Sequence, residues 1–272
     1  MTTSHIERVA AIQQSLREDG TIDGWLFYDF RGSDLLSYRV LLLDPEIHVT
    51  RRWYYWIPAE GTPRKLLHRI EPHVLEQLPG ETDQYVSWEQ QRQFLARLLN
   101  GSRRIAMQYS PMNAVPYVSR VDAGTIELVR SCGSEIVSSA DLIQMFEAVW
   151  TDQQLESHQY AAAALRRIVD DAFGHVGDAV AKGRRLTEHG LQQFILARIS
   201  EAKMVTSSAP IAAVNEHSAD PHYSPMPTGS AEIGRDDLIL IDLWAKRPEA
   251  GSVYADITWT AYGGQQVPAR HR

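Results

Sequence analysis

Leu240-Ile241-Asp242-Leu243-Trp244 and Tyr254-Ala255-Asp256-Ile257-Thr258-Trp259 each place one aspartate inside an apolar, β-prone run. Between them, Lys246-Arg247-Pro248-Glu249-Ala250-Gly251-Ser252 carries the proline and glycine of a loop that joins antiparallel strands. A symmetric hairpin would centre on Glu249 and set Asp242 directly opposite Asp256, with Cβ atoms roughly 4.5–5.5 Å apart on one face. Two carboxylates in so small a space repel, and one holds a proton unless a cation lies between them. Oxygen donors of this type suit hard or borderline divalent metals. The pair alone leaves a second reading open, in which the hairpin simply carries two solvated aspartates at its strand ends.

Working outward, Ala209 to Val214 and Asp237 to Asp242 read as strands separated by a polar, proline-rich segment over 215–236. Upstream, Thr151 or Asp152 can cap a long helix running to about Val180, with an alanine-rich Tyr160 to Leu165 inside it. Gly183 punctuates that helix. Thr187-Glu188 opens a second one, whose Leu191, Phe194, Ile195 and Ile199 form an apolar face. In the first part of the chain, Ser4 caps a helix with Ile6, Val9, Ile12 and Leu16 at helical spacing, and Gly20 closes it. Strands are expected at Trp25 to Tyr28, Trp53 to Ile57, Ile105 to Met107 and Thr125 to Val129, and helices over 89–100 and 139–149. The fold class is therefore mixed α/β and α+β, with an α/β domain over 1–150 and a second domain over 151–272.

Bulk properties narrow the function classes. The 272 residues carry a formal net charge of -7, which lacks the basic surplus of a nucleic-acid or anionic-membrane partner. A single cysteine, Cys132, excludes an internal disulfide and fits a reducing compartment. No charged-then-apolar leader opens the sequence and no apolar stretch approaches ~18 residues, so the expected location is the cytoplasm.

The segment Val214-Asn215-Glu216-His217-Ser218-Ala219-Asp220-Pro221-His222-Tyr223-Ser224-Pro225 holds the remaining candidates. Prolines at 221 and 225 stiffen the backbone around His222 and present its imidazole from a restricted loop. Histidine trades protons near neutral pH, which suits a catalytic acid. With 10 histidines in the chain, one in a polar loop is also an ordinary solvated residue, and His217 has the same compositional claim. Asn215 closes a turn and has no evident chemical role. Trp53-Tyr54-Tyr55-Trp56 reads as a buried strand, with a dimer interface as the alternative. Arg51-Arg52 before it is a solvated strand end or a site for a substrate carboxylate.

The order of these parts resembles the pita-bread metallopeptidases: a long helix, a Thr-Glu-capped helix, a strand ending at Asn215, Pro221-His222-Tyr223, then Ile241-Asp242 and Ala255-Asp256-Ile257-Thr258. That family includes aminopeptidase P, prolidase, methionine aminopeptidase and the non-metal relative creatinase. Asp23-Gly24-Trp25-Leu26-Phe27-Tyr28 after a leading helix looks like the start of a creatinase-type amino-terminal domain. The resemblance implies that an incomplete pita-bread domain follows it. By position it makes Asp242 a ligand of one metal, Asp256 the carboxylate bridging two, and His222 the substrate-side histidine. It further implies two divalent ions (Mn, Co or Zn), a peptide with proline in second place as substrate, and a homodimer. The reaction would remove an amino-terminal residue before proline, with a metal-bound water as nucleophile.

This sequence departs from the family pattern. Family members continue past the second aspartate and supply a ligand histidine and two glutamates. After Asp256 only Ile257 to Arg272 remain, with no glutamate and a single histidine, His271. The chain is thus expected to be a carboxy-terminally truncated form, inactive alone, with apolar edges exposed at Leu238–Ile241 and Ile257–Trp259. A non-catalytic interaction protein with a damaged cleft and a creatinase-like, metal-independent amidine hydrolase are the alternatives.

Overall fold

In a computed structural model, which describes residues 4–271, helix α1 (His5–Asp19) is fixed at both ends by the residues flanking it. Ser4 accepts a hydrogen bond from Glu7 N while the Glu7 carboxylate reaches back to Ser4 N, and Gly20 closes the helix in the left-handed conformation at φ 65°. This reciprocal cap satisfies two donors that a helix start otherwise leaves open. Val9, Ile12 and Leu16 are its buried face.

Around α1 the chain builds β1 (Gly24–Asp29), α2 (Leu35–Val40), β2 (Trp53–Pro58), β3 (Arg64–His68), β4 (Glu81–Tyr85), α3 (Trp88–Leu98), β5 (Arg104–Met107), α4 (Ala123–Arg130), β6 (Glu135–Ser138) and α5 (Ala140–Ile143). The strands form one mixed sheet in the order β4-β3-β2-β1-β5-β6. Both faces of its centre are covered. Trp25, Phe27, Trp53 and Tyr55 pack with α1 on one side, while Leu26, Tyr28, Tyr54 and Trp56 pack with α3 and α4 on the other. The aromatic run at 53–56 is therefore core on alternate faces, the period-2 outcome of a central strand.

One expected strand is a helix. Thr125 to Val129 lies in α4, because Asp122 caps it by accepting from Thr125 N at 2.9 Å and from the Thr125 hydroxyl at 2.7 Å. Thr125, Ile126 and Val129 are buried at helical spacing. Their β-branched shapes favour a strand locally, but the cap and the packing override that preference.

A second compact unit spans Trp150–Arg272, following Met1–Val149. It contains α6 (Asp152–Ala181), α7 (Glu188–Glu201), β7 (Ile211–Val214), β8 (Leu238–Ala245) and β9 (Ala255–Tyr262). The strands make an antiparallel sheet in the order β7-β8-β9. Strict alternation along β8 sends Ile239, Ile241, Leu243 and Ala245 into a core with α6 and α7, and leaves Leu238, Leu240, Asp242 and Trp244 half-buried on the opposite face. Because β8 is central, its Leu238–Ile241 backbone is paired on both sides and is not the open edge that the sequence suggested. Of the two runs expected at an edge, only Ile257–Trp259 lies on one, that of β9.

Candidate functional site

Asp242 and Asp256 sit on the half-exposed face of this small sheet, but they are not directly opposed. Asp242 pairs with Thr258, and Asp256 pairs with Trp244. The hairpin is centred at Ala250, midway between Asp242 and Thr258, one residue beyond the symmetric expectation. The cause lies outside the two strand sequences. Val205 and Lys246 exchange backbone hydrogen bonds at 2.9 and 3.0 Å, while Val253 N donates to Ser157 Oγ at 3.0 Å and His158 Nδ1 lies 2.8 Å from Tyr254 O. Contacts to α6 thus hold residues 253 and 254, and β9 starts at Ala255.

A move of the centre by one residue displaces each partner by two, so both aspartates stay on the same face. They become diagonal neighbours, a geometry in which Cα atoms lie roughly 7–8 Å apart. Thr258 Oγ1 donates to Asp242 Oδ1 at 2.7 Å and orients that carboxylate. Asp256 is exposed, yet loss of water around it and then the charge of Asp242 hold its pKa above the ordinary carboxylate value. The two groups therefore sense each other across the strands.

His222 is on a different element, the long loop from β7 to β8. Its ring is exposed, and its backbone N–H donates to Asp220 Oδ1 at 2.9 Å. The base of the loop is closed by Asn215, which adopts φ 50°. Its Nδ2 donates to Asp237 Oδ1 at 2.7 Å and its Oδ1 accepts from Leu238 N at 3.1 Å. Asn215 thus closes the turn, a conformation asparagine tolerates.

The residue that sequence reasoning passed over is Glu188. It appeared only as part of a helix-opening Thr187-Glu188 pair, and Thr187 does cap α7, accepting from Gly190 N at 3.1 Å. The glutamate does something else. Fully buried, it accepts from Val214 N and His217 Nδ1 on Oε1, both at 2.8 Å, and from Tyr223 OH at 2.6 Å and Ala231 N at 2.9 Å on Oε2. His217 and Tyr223 stack at 4.5 Å between ring centroids. Burial pushes the Glu188 pKa up, but the hydrogen bonds from Tyr223, His217, Val214 and Ala231 outweigh it and leave the group below its usual value. This also separates the two loop histidines: His217 is tied to the glutamate, and His222 is not.

Residues 156–272 match the family model of Metallopeptidase family M24. Over this segment the chain is similar to that family. Among solved structures, this chain resembles the dipeptidase PepE from Mycobacterium ulcerans, with a TM-score of 0.58 and 18% identity over 94% of this chain and 64% of that one. X-prolyl aminopeptidase from Caenorhabditis elegans, described as a cytosolic enzyme with a di-nuclear active site, aligns at 0.55 and 17% identity over 98% of this chain and 42% of that chain. The N-terminal domain of the FACT complex subunit SPT16 from Eremothecium gossypii aligns at 0.53 and 11% identity over 94% and 67%. No curated protein sequence matches. At these identities the neighbours establish the fold, and the chain spans less than two thirds of the length of the mycobacterial dipeptidase.

Among the described residues, no group of three or more His, Cys, Asp or Glu side chains converges to hold an ion. Among the described residues Asp242 and Asp256 have no third side chain of these types beside them, so this pair does not fit the closed first shells of two ions. Among the described residues no helix is long and apolar enough to cross a membrane.

Proposed function

We propose that the second unit carries part of the catalytic apparatus of an Xaa-Pro peptidase, acting in the cytoplasm on peptides with proline in second place. The observation that carries this reading is the pair Asp242 and Asp256, held on one sheet face with the first oriented by Thr258 and the second electrostatically coupled to it. A same-face carboxylate pair of this kind is an anionic seat for a divalent ion such as Mn, Co or Zn. His222, exposed on its loop, supplies a donor for a peptide carbonyl. The similarity to Metallopeptidase family M24 and the dipeptidase and X-prolyl aminopeptidase neighbours support the substrate class.

The incomplete donor set favours a second reading, in which this chain is a non-catalytic interaction protein that keeps the frame of the site. Metal titration by calorimetry and an Xaa-Pro cleavage assay, each with Mn, Co and Zn, distinguish the two. Weak binding of an ion that is lost in Asp242→Asn and Asp256→Asn, without turnover by this chain alone, is the expected result for a partial catalytic site. Turnover by the 272-residue chain would show that the donors suffice, and metal binding indifferent to both substitutions would overturn the assignment of the pair.

A further inference from the structure

We infer that Glu188 is the positioning residue of the 215–236 loop, the group that decides where His222 is presented. The inference about the loop stands on geometry, and its link to His222 as a substrate-side residue rests on the function proposed above. Four donors converge on this one buried carboxylate: the N–H of Val214 where the loop begins, His217 and Tyr223 within it, and the N–H of Ala231 near its end. The glutamate's own N–H donates to Ala231 O at 3.0 Å, and Ile233 N donates to Leu186 O at 2.8 Å, which pins the return of the loop to the start of α7. His222 makes no part of this network, but its neighbour Tyr223 does. The tether therefore reaches the histidine through one peptide bond.

The chemistry of the hub is specific to a carboxylate. An ionised carboxylate only accepts, and every group facing Glu188 donates. That fixes the proton on Nδ1 of His217, since Nδ1 faces Oε1 at 2.8 Å, and leaves Nε2 without a required role in the hub. Glutamine has the same shape but turns an NH2 towards one of the two carboxylate positions. On the Oε2 side it would face the Ala231 N–H, and on the Oε1 side the Val214 N–H, so either orientation sets donor against donor. Aspartate keeps the charge but is one methylene short of four partners that come from separate turns of the loop.

The test uses the full chain and two variants, Glu188→Gln and Tyr223→Phe, followed by amide hydrogen exchange and by nitrogen-15 NMR of the histidine rings. In the wild type the His217 ring is expected to carry its proton on Nδ1 at alkaline pH. In Glu188→Gln the amides of Val214, Ala231 and Ile233 should exchange about tenfold faster or more, a local opening, while buried amides of α6 such as Ala164 and Ala172 keep their rates. The His222 resonances should move in Glu188→Gln and Tyr223→Phe alike, although Glu188 does not touch that ring. A uniform rise in exchange through α6 would mark Glu188 as a general stability residue and overturn the inference. So would unchanged loop exchange, or a His217 ring protonated on Nε2 in the wild type. The functional reading fails separately: if Xaa-Pro peptides do not bind while the loop responds as stated, the positioning role stands and the substrate assignment falls.

Discussion

Two acidic places in the same second unit treat negative charge in opposite ways. Glu188 is out of water and surrounded only by donors, so its charge is favoured and its pKa is lowered. Asp256 is largely in water, yet its nearest charged influence is another carboxylate, and its pKa is raised. The first site is complete in itself. The second has excess negative charge that only a proton or a cation relieves, and that incompleteness makes it the candidate for function.

The largest test of this contrast is Glu188→Ala. It strips acceptors from the buried Val214 N–H and the half-buried Ala231 N–H, and at about 1–3 kcal/mol for each unsatisfied donor the expected loss is about 2–6 kcal/mol in urea unfolding. Acid should act in the same direction. Because the folded pKa of Glu188 is lowered, its contribution is present above the ordinary glutamate value and is lost as pH falls through the folded one. Asp256 should show the reverse sign. Its raised folded pKa means that the folded chain holds the proton more tightly, so stability declines as pH rises from the ordinary aspartate value through the folded one. Asp242→Asn should bring that pKa down, as read by carbon-13 NMR of the Asp256 carboxyl.

Smaller effects sharpen the comparison further. Thr258→Val removes the donor to Asp242 Oδ1, with an expected cost of about 0.5–1 kcal/mol by chemical denaturation. Asp256→Asn relieves repulsion and should stabilise by a few tenths of a kcal/mol, roughly the scale of a surface charge pair. Added Mn should raise the melting temperature of the wild type and not that of Asp256→Asn, because only a ligand that prefers the folded state shifts unfolding. His222→Ala should change stability by less than about 0.5 kcal/mol, since its exposed ring supports nothing. If that substitution destabilised the chain as much as Glu188→Ala, the division between structural and functional groups would collapse.

Much of this was legible in the residues. Ser4 with Glu7, Thr151 with Gln154 and Gly20 mark helix ends because their chemistry is local. The face shared by Asp242 and Asp256 was legible too, because strand alternation fixes it. Their exact opposition was not, since the register is set by Ser157, His158 and Val205, residues about 40 to 100 positions distant in sequence. The same limit hid Glu188. At a helix start an acidic residue is ordinary, and the signals of its role, His217 and Tyr223, lie 29 and 35 residues away. Strands β3, β4 and β6 escaped because short segments such as Glu81–Tyr85 are largely polar and take their form from pairing with a neighbour.

Asn215 gives the long loop a further property. By joining the exit of β7 to Asp237 and Leu238 at the entry of β8, it makes the loop a ring closed at its base, and Glu188 fastens that ring at Tyr223 on one arm and Ala231 on the other. Between those two points, over residues 224–230, the chain carries neither fastening. Extra residues placed beyond the buried Pro225, over the largely exposed 226–230, would lengthen only that arc, at a cost that grows slowly with length. Evolution or an engineer could graft a reporter or a specificity element at that arc without moving either the sheet or the histidine beside it.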